Sequence, residues 1–124
     1  MKTLNSLLFI FLMLGNFTMA QEIPLEAPAG FDIERTGIAK GKIDTISYSS
    51  KTVGNIREAL IYFPPGYTKG KKYPVLYLLH GIGGDKKEWL NGANPQVILD
   101  NLYAENNLQP MLVIMPNGRA MKDD

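Results

Sequence analysis

From Gly41 onward, apolar and polar residues sort into short blocks separated by glycine, proline and asparagine. Lys42 to Tyr48 (KIDTISY) alternates only loosely, but its β-branched and aromatic content predicts a strand. Lys51 to Asn55 contains Gly54 and predicts a turn. Ile56 to Phe63 (IREALIYF) predicts a second strand, closed by Pro64-Pro65-Gly66, where neither helix nor ladder continues. Two strands joined by a short polar turn make an antiparallel hairpin.

The next blocks have another character. Pro74 to Leu79 (PVLYLL) is a continuous apolar run of strand length, expected at the centre of a sheet with helices on both faces. It runs into His80-Gly81-Ile82-Gly83-Gly84, where three glycines exclude regular structure, and then a polar stretch from Asp85 to Gly92. Asn94-Pro95 predicts a helix start, with Asn as N-cap and Pro in the first helical position. Ile98, Leu99 and Leu102 recur at helical spacing and give an apolar face through Ala104; Asn106-Asn107 ends it. Met111 to Met115 (MLVIM) predicts a last strand, stopped by Pro116-Asn117-Gly118. Strand, loop, helix and strand form a βαβ unit, with parallel strands and a right-handed crossover. A hairpin followed by such a unit predicts an α/β sheet.

The N-terminus is different material. A weakly positive Met1-Lys2-Thr3 precedes the apolar Leu7 to Leu14, and Thr18-Met19-Ala20 ends the stretch in small residues. This is the layout of a secretory signal peptide (residues 1–20) cut after Ala20, with an apolar core too short to span a bilayer. Export to the periplasm or the medium is the expectation, with no membrane attachment after cleavage. Residues 21–40 begin with QEIPLEAPAG, which has two prolines and no period and reads as an extended leader. The domain proper is expected over 41–124.

Composition narrows the function classes. The net charge is +1 over 124 residues, and Lys69, Lys71 and Lys72 form the densest basic cluster, read as a solvated loop. Neither suggests a nucleic-acid partner. The absence of cysteine in an exported chain leaves a packed core as the source of stability. With one histidine and scattered carboxylates, a metal site fails on inventory, and no cofactor is expected.

Candidate chemistry concentrates at His80 to Gly84. In open α/β sheets, sites form beyond the carboxyl ends of the strands. Glycines let backbone N–H groups approach a ligand closely, and a pair of such groups stabilises the oxyanion of an acyl transfer. A phosphate cradle would need its glycines to open directly into a helix, whereas charged residues follow these. Asp85 and Glu88, flanked by Lys86 and Lys87, read as a solvated loop face rather than an acid/base pair. Trp89 is a candidate wall of a substrate cleft, with a core role as the alternative.

YFPPGY (62–67), YPVLYLLHGIGG (73–84), Trp89 and Met115-Pro116-Asn117-Gly118, in that order, resemble one esterase group of the α/β-hydrolases. The group includes feruloyl and acetyl xylan esterases of carbohydrate esterase family one, esterase D and enterobactin esterases. The resemblance covers roughly Gly41 to Gly118 and implies the N-terminal part of an α/β-hydrolase sheet, incomplete as it stands. It implies that the Ile82 N–H is the first oxyanion donor, supported by His80, Gly81, Gly83 and Gly84. A catalytic histidine follows the nucleophile in this fold, so His80 is expected to hold the loop through hydrogen bonds.

Such an esterase needs a serine on a G-x-S-x-G turn, then an acid and a histidine. Ser6, Ser47, Ser49 and Ser50 have no such flanks, and there is no second histidine. The nucleophile is expected beyond Asp124, which makes the chain a fragment of a longer protein. The expected parent is a secreted serine carboxylester hydrolase acting on acylated plant polysaccharide, with this chain inactive alone. The alternative is a secreted, non-catalytic carbohydrate-binding or scaffold protein that retains half the fold.

Overall fold

A computed structural model describes residues 26–121. The expected signal segment (1–20), the start of the leader and residues 122–124 lie outside the described residues. Six elements follow in chain order: β1 (Lys42–Ser50), β2 (Asn55–Phe63), β3 (Val75–Tyr77), α1 (Glu88–Ala93), α2 (Pro95–Ala104) and β4 (Leu112–Pro116).

The hairpin forms as the sequence predicts. β1 and β2 pair antiparallel from Lys42 opposite Phe63 to Ser50 opposite Asn55. The turn between them closes with Gly54 N–H donating to the Ser50 carbonyl at 2.9 Å, and Gly54 takes a φ of 79°, which glycine adopts without a Cβ penalty. β1 is polar and mostly exposed, and a Lys42–Asp44 ion pair sits on this edge strand. Charges on an edge discourage pairing with a further chain.

β3 and β4 are parallel, and β4 also pairs antiparallel with β2, so the sheet is mixed with the order β1-β2-β4-β3. Among the described strands, the Pro74–Leu79 run has β4 as its one neighbour. It ladders only over Val75–Tyr77, with flanking bonds from Leu112 N–H to Pro74 O and from Leu78 N–H to Ile114 O, both 2.9 Å. It lies at an edge of the described sheet, and Tyr77 and Leu79 are 61% and 65% exposed. The centre is β2 and β4. Tyr62, Val113 and Met115 are fully buried there, and each apolar side chain buried this way contributes roughly 1.5–3 kcal/mol.

Pro95 opens α2 as the sequence predicts, but Asn94 does not cap it with its side chain. Asn94 is instead left-handed (φ 42°, ψ 60°), a conformation asparagine tolerates, and joins α1 directly to α2. At the other end Asn106 is also left-handed. Asn106 N–H donates to Tyr103 O and Asn107 N–H to Leu102 O, both at 3.0 Å, the bonding of a Schellman stop.

The most buried side chains of α2, besides Pro95, are Asp100 and Asn101, each 3% exposed, while Ile98, Leu99 and Leu102 are half-buried. Asp100 Oδ1 accepts from Gly41 N–H (2.8 Å) and the Tyr62 hydroxyl (2.7 Å), which ties the helix to both the start of β1 and the sheet core. Asn101 Nδ2 donates to the carbonyls of Phe31 and Ile33 at 2.9 Å each. The segment expected as an extended leader is thereby docked on α2, turning through bonds from Phe31 N–H to Pro28 O and from Ile33 N–H to Gly30 O.

Candidate functional site: the loop after β3

Parallel pairing brings the carboxyl ends of β3 and β4 side by side, and with them two loops that are far apart in sequence. His80 joins them. Gly118 N–H donates to His80 Nε2 at 2.9 Å, and the ring's Nδ1 lies 2.8 Å from the Gly81 carbonyl. A backbone N–H can only donate, so Nε2 carries the lone pair and the proton sits on Nδ1, donating to Gly81 O. Both ring nitrogens are thus taken up, and the imidazole has no lone pair left to act as a base.

Arg119, two residues beyond Asn117, fixes the loop from the same side. Its Nε donates to Gly84 O at 2.9 Å and its Nη2 to Gly83 O at 2.7 Å. The guanidinium suits this use because its donors are rigidly coplanar. A third tie comes from Glu88, whose Oε1 accepts from Gly81 N–H at 2.9 Å.

Within the loop, Gly84 N–H closes a turn on Gly81 O at 3.1 Å. Gly83 occupies the third position with a φ of 79°, as a type II turn requires. With Gly81 and Gly84 N–H engaged, the N–H groups of Ile82 and Gly83 have no hydrogen-bond partner among the described residues. The Ile82 side chain is 108% exposed and packs on none of the described residues.

The other sequence candidates are placed as follows. Trp89 is half-buried in α1 and donates from Nε1 to Leu79 O at 3.0 Å, bracing the helix against the end of β3. Asp85 and Glu88 are exposed, as expected of a loop face, but neither is idle: Asp85 Oδ1 accepts from Lys87 N–H at 2.7 Å just before α1. Lys86 pairs with Glu58 of β2, and this hydrogen bond holds the Glu58 carboxyl below its ordinary value of 4.5. Sequence reasoning missed Arg119 and the bond made by Glu88; the only cue was the nearness of each to a recognisable motif.

An open pocket of about 450 Å³ adjoins the loop, lined by Gly83, Gly84, Asp85, Glu88, Asn91 and Arg119 among others. Among the described residues, no group of three or more His, Cys, Asp or Glu gathers to hold a metal. The site has donors for a developing negative charge, but the serines among the described residues do not reach it. Ser47, Ser49 and Ser50 lie in β1, three strands from β3 across the sheet, or about 14 Å at ordinary strand spacing.

Comparison with known proteins identifies the family and the fold. The profile of the family described as "Putative esterase" matches residues 50–124. An endo-1,4-beta-xylanase/feruloyl esterase of Xylanibacter ruminicola is 36% identical over 105 residues, covering 78% of this chain and 14% of that protein. Among solved structures, the CE1 ferulic acid esterase of Anaeromyces mucronatus in complex with ferulic acid superposes with a TM-score of 0.72 at 27% identity. That match covers 82% of this chain and 38% of the esterase. The feruloyl esterase module of Clostridium thermocellum, as a mutant complexed with sinapinate, gives 0.67 at 27% identity, over 77% of this chain and 32% of the module. The chain therefore spans well under half the length of these relatives. By its matched residues and its mixed four-stranded sheet, the chain belongs to this esterase family and carries part of an α/β-hydrolase fold of the carbohydrate esterase family one type.

Proposed function

We propose that the chain supplies the oxyanion half of the active site of an exported serine carboxylester hydrolase, which releases feruloyl or related acyl groups from plant polysaccharide. The observation that carries this reading is the pair of unengaged N–H groups, Ile82 and Gly83, on a loop pinned by His80, Arg119 and Glu88. When a serine attacks the ester carbonyl, negative charge gathers on the carbonyl oxygen. A fixed N–H from Ile82, with a second amide after the nucleophile, stabilises that charge, and one such donor contributes about 10²–10³ in kcat. The acyl preference and the polysaccharide are supported by relatives named as feruloyl esterases and by the signal-like first twenty residues.

Since this chain has no serine elbow and its one histidine is committed to the loop, it is inactive alone. The test incubates the purified chain with methyl ferulate and p-nitrophenyl acetate. No turnover above buffer is expected, and hydrolysis that survives stringent purification refutes the half-site. The reading frame that continues this sequence should encode a serine elbow, then Asp or Glu, then His; a frame without them removes the hydrolase reading. Export predicts a mature N-terminus at Gln21, read by terminal sequencing of the secreted product; an intact Met1 there would contradict it.

A further inference from the structure

Gly84 has no positive φ to explain it, unlike Gly83. What a side chain there would meet is the Glu88 carboxylate. A Cβ built on Gly84 would lie 1.5 Å from Glu88 Oε2 and 2.7 Å from Glu88 Cδ, so the carboxylate occupies the place a side chain would take. Gly81 is shaped by the same group, because its own Cβ would fall 3.2 Å from Glu88 Oε1 while its N–H donates to that oxygen at 2.9 Å. The glutamate thus bonds the first glycine of the loop and lies against the last, from the first turn of α1. Trp89, the next residue, holds that turn to Leu79 at the end of β3.

We infer that Glu88 is a positioning residue for the oxyanion loop, and that Gly84 is glycine to admit its carboxylate. By accepting the Gly81 N–H, Glu88 fixes the His80–Gly81 peptide and leaves Ile82 and Gly83 as the loop's unengaged donors. Arg119 holds the opposite flank through the carbonyls of Gly83 and Gly84. The loop is thereby clamped between a carboxylate on its N–H side and a guanidinium on its carbonyl side. This inference rests on the oxyanion reading of the loop.

The test reads amide hydrogen exchange on the full chain by NMR, residue by residue, which needs no turnover. In the unsubstituted chain the Gly81 amide is expected to exchange more slowly than its sequence-matched free rate. Glu88→Ala should raise that rate about fivefold, in keeping with the loss of one hydrogen bond. Glu88→Gln keeps an acceptor oxygen and should restore most of the protection. Gly84→Ala, by expelling the carboxylate, should raise the Gly81 rate as much as Glu88→Ala does, and should add little in a Glu88→Ala background. Exchange at Gly81 that is unprotected in the unsubstituted chain, or unchanged by Glu88→Ala, overturns the proposal. So does a Gly84→Ala effect that simply adds to that of Glu88→Ala. Failure here would leave the esterase reading standing, whereas a continuing frame without a serine elbow would remove that reading and leave the Glu88 bond to Gly81 untouched.

Discussion

Tyr62→Phe is the sharpest single probe of how α2 is fixed to the sheet. The substitution keeps the ring, its full burial and its stacking on Tyr103 (6.3 Å between centroids), and deletes only the hydroxyl. That hydroxyl donates to Asp100 Oδ1 at 2.7 Å, and Asp100 is 3% exposed, so the carboxylate is left with Gly41 N–H as its remaining described donor. A hydrogen bond to a charged group contributes about 1.5–3 kcal/mol, so the variant should lose about 2 kcal/mol, roughly thirtyfold in the folding equilibrium. Urea titration at pH 7 measures this, with Asp100→Ala and the double variant completing a cycle. Alkaline pH supplies an independent check. Burial, then the hydrogen bond and charge of Asp100, raises the Tyr62 phenol above its ordinary 10.0. A raised folded value means that the stabilisation is fully present below pH 10 and declines above it, as the phenol ionises in the unfolded chain, by about 1.4 kcal/mol per pH unit. The variant lacks that component, so the gap between the two proteins should close above pH 10. Tyr103, raised mainly by burial, adds a loss of the same sign to both. A Tyr62→Phe effect under about 0.5 kcal/mol, or a gap that stays constant to pH 11, would refute the reasoning.

Two further outcomes concern the loop. His80→Ala removes the acceptor of Gly118 N–H and a donor to Gly81 O, and should cost about 1–2 kcal/mol of stability with faster exchange at the Gly118 amide; unchanged Gly118 exchange would contradict the tie. Arg119→Lys should behave like Arg119→Ala rather than like the parent, because an ammonium cannot serve the Gly83 and Gly84 carbonyls together in the coplanar geometry of a guanidinium. Chemical shifts of the Ile82 and Gly83 amides would report it, and a lysine variant with parental shifts would count against a bidentate role.

The parts of the fold that were legible are those whose cause is local. The hairpin follows from a polar turn with Gly54, the start of α2 from Pro95, and its end from two asparagines, one of which adopts the left-handed stop. α1 escaped notice because six residues, one of them Gly92, are too few to show a helical period. It is held instead by the Trp89 bond to Leu79. The apolar run at β3 reports that its side chains favour cover, but not which strand lies beside it; strand order is a property of distant pairing. The burial of Asp100 and Asn101 was invisible for the same reason, as their partners lie 38 to 70 positions away. At the site, the glycine cluster marked the loop, because glycine is legible wherever backbone must approach closely. Glu88 and Arg119 resembled ordinary surface charges, since what they bind is main chain.

The link from His80 to Gly118 also bears on the order in which the molecule takes shape. It joins positions 38 apart, whereas the β1–β2 hairpin closes across a four-residue turn. Hairpins form in about 1–10 μs, and a parallel pair must first close its long crossover, whose entropy is lost before any contact compensates it. The His80–Gly118 bond closes the loop after β3 only once β3 and β4 lie side by side. In a nascent chain, then, the scaffold precedes the proposed site: the Ile82 and Gly83 amides take their places late, after the sheet that carries them has formed.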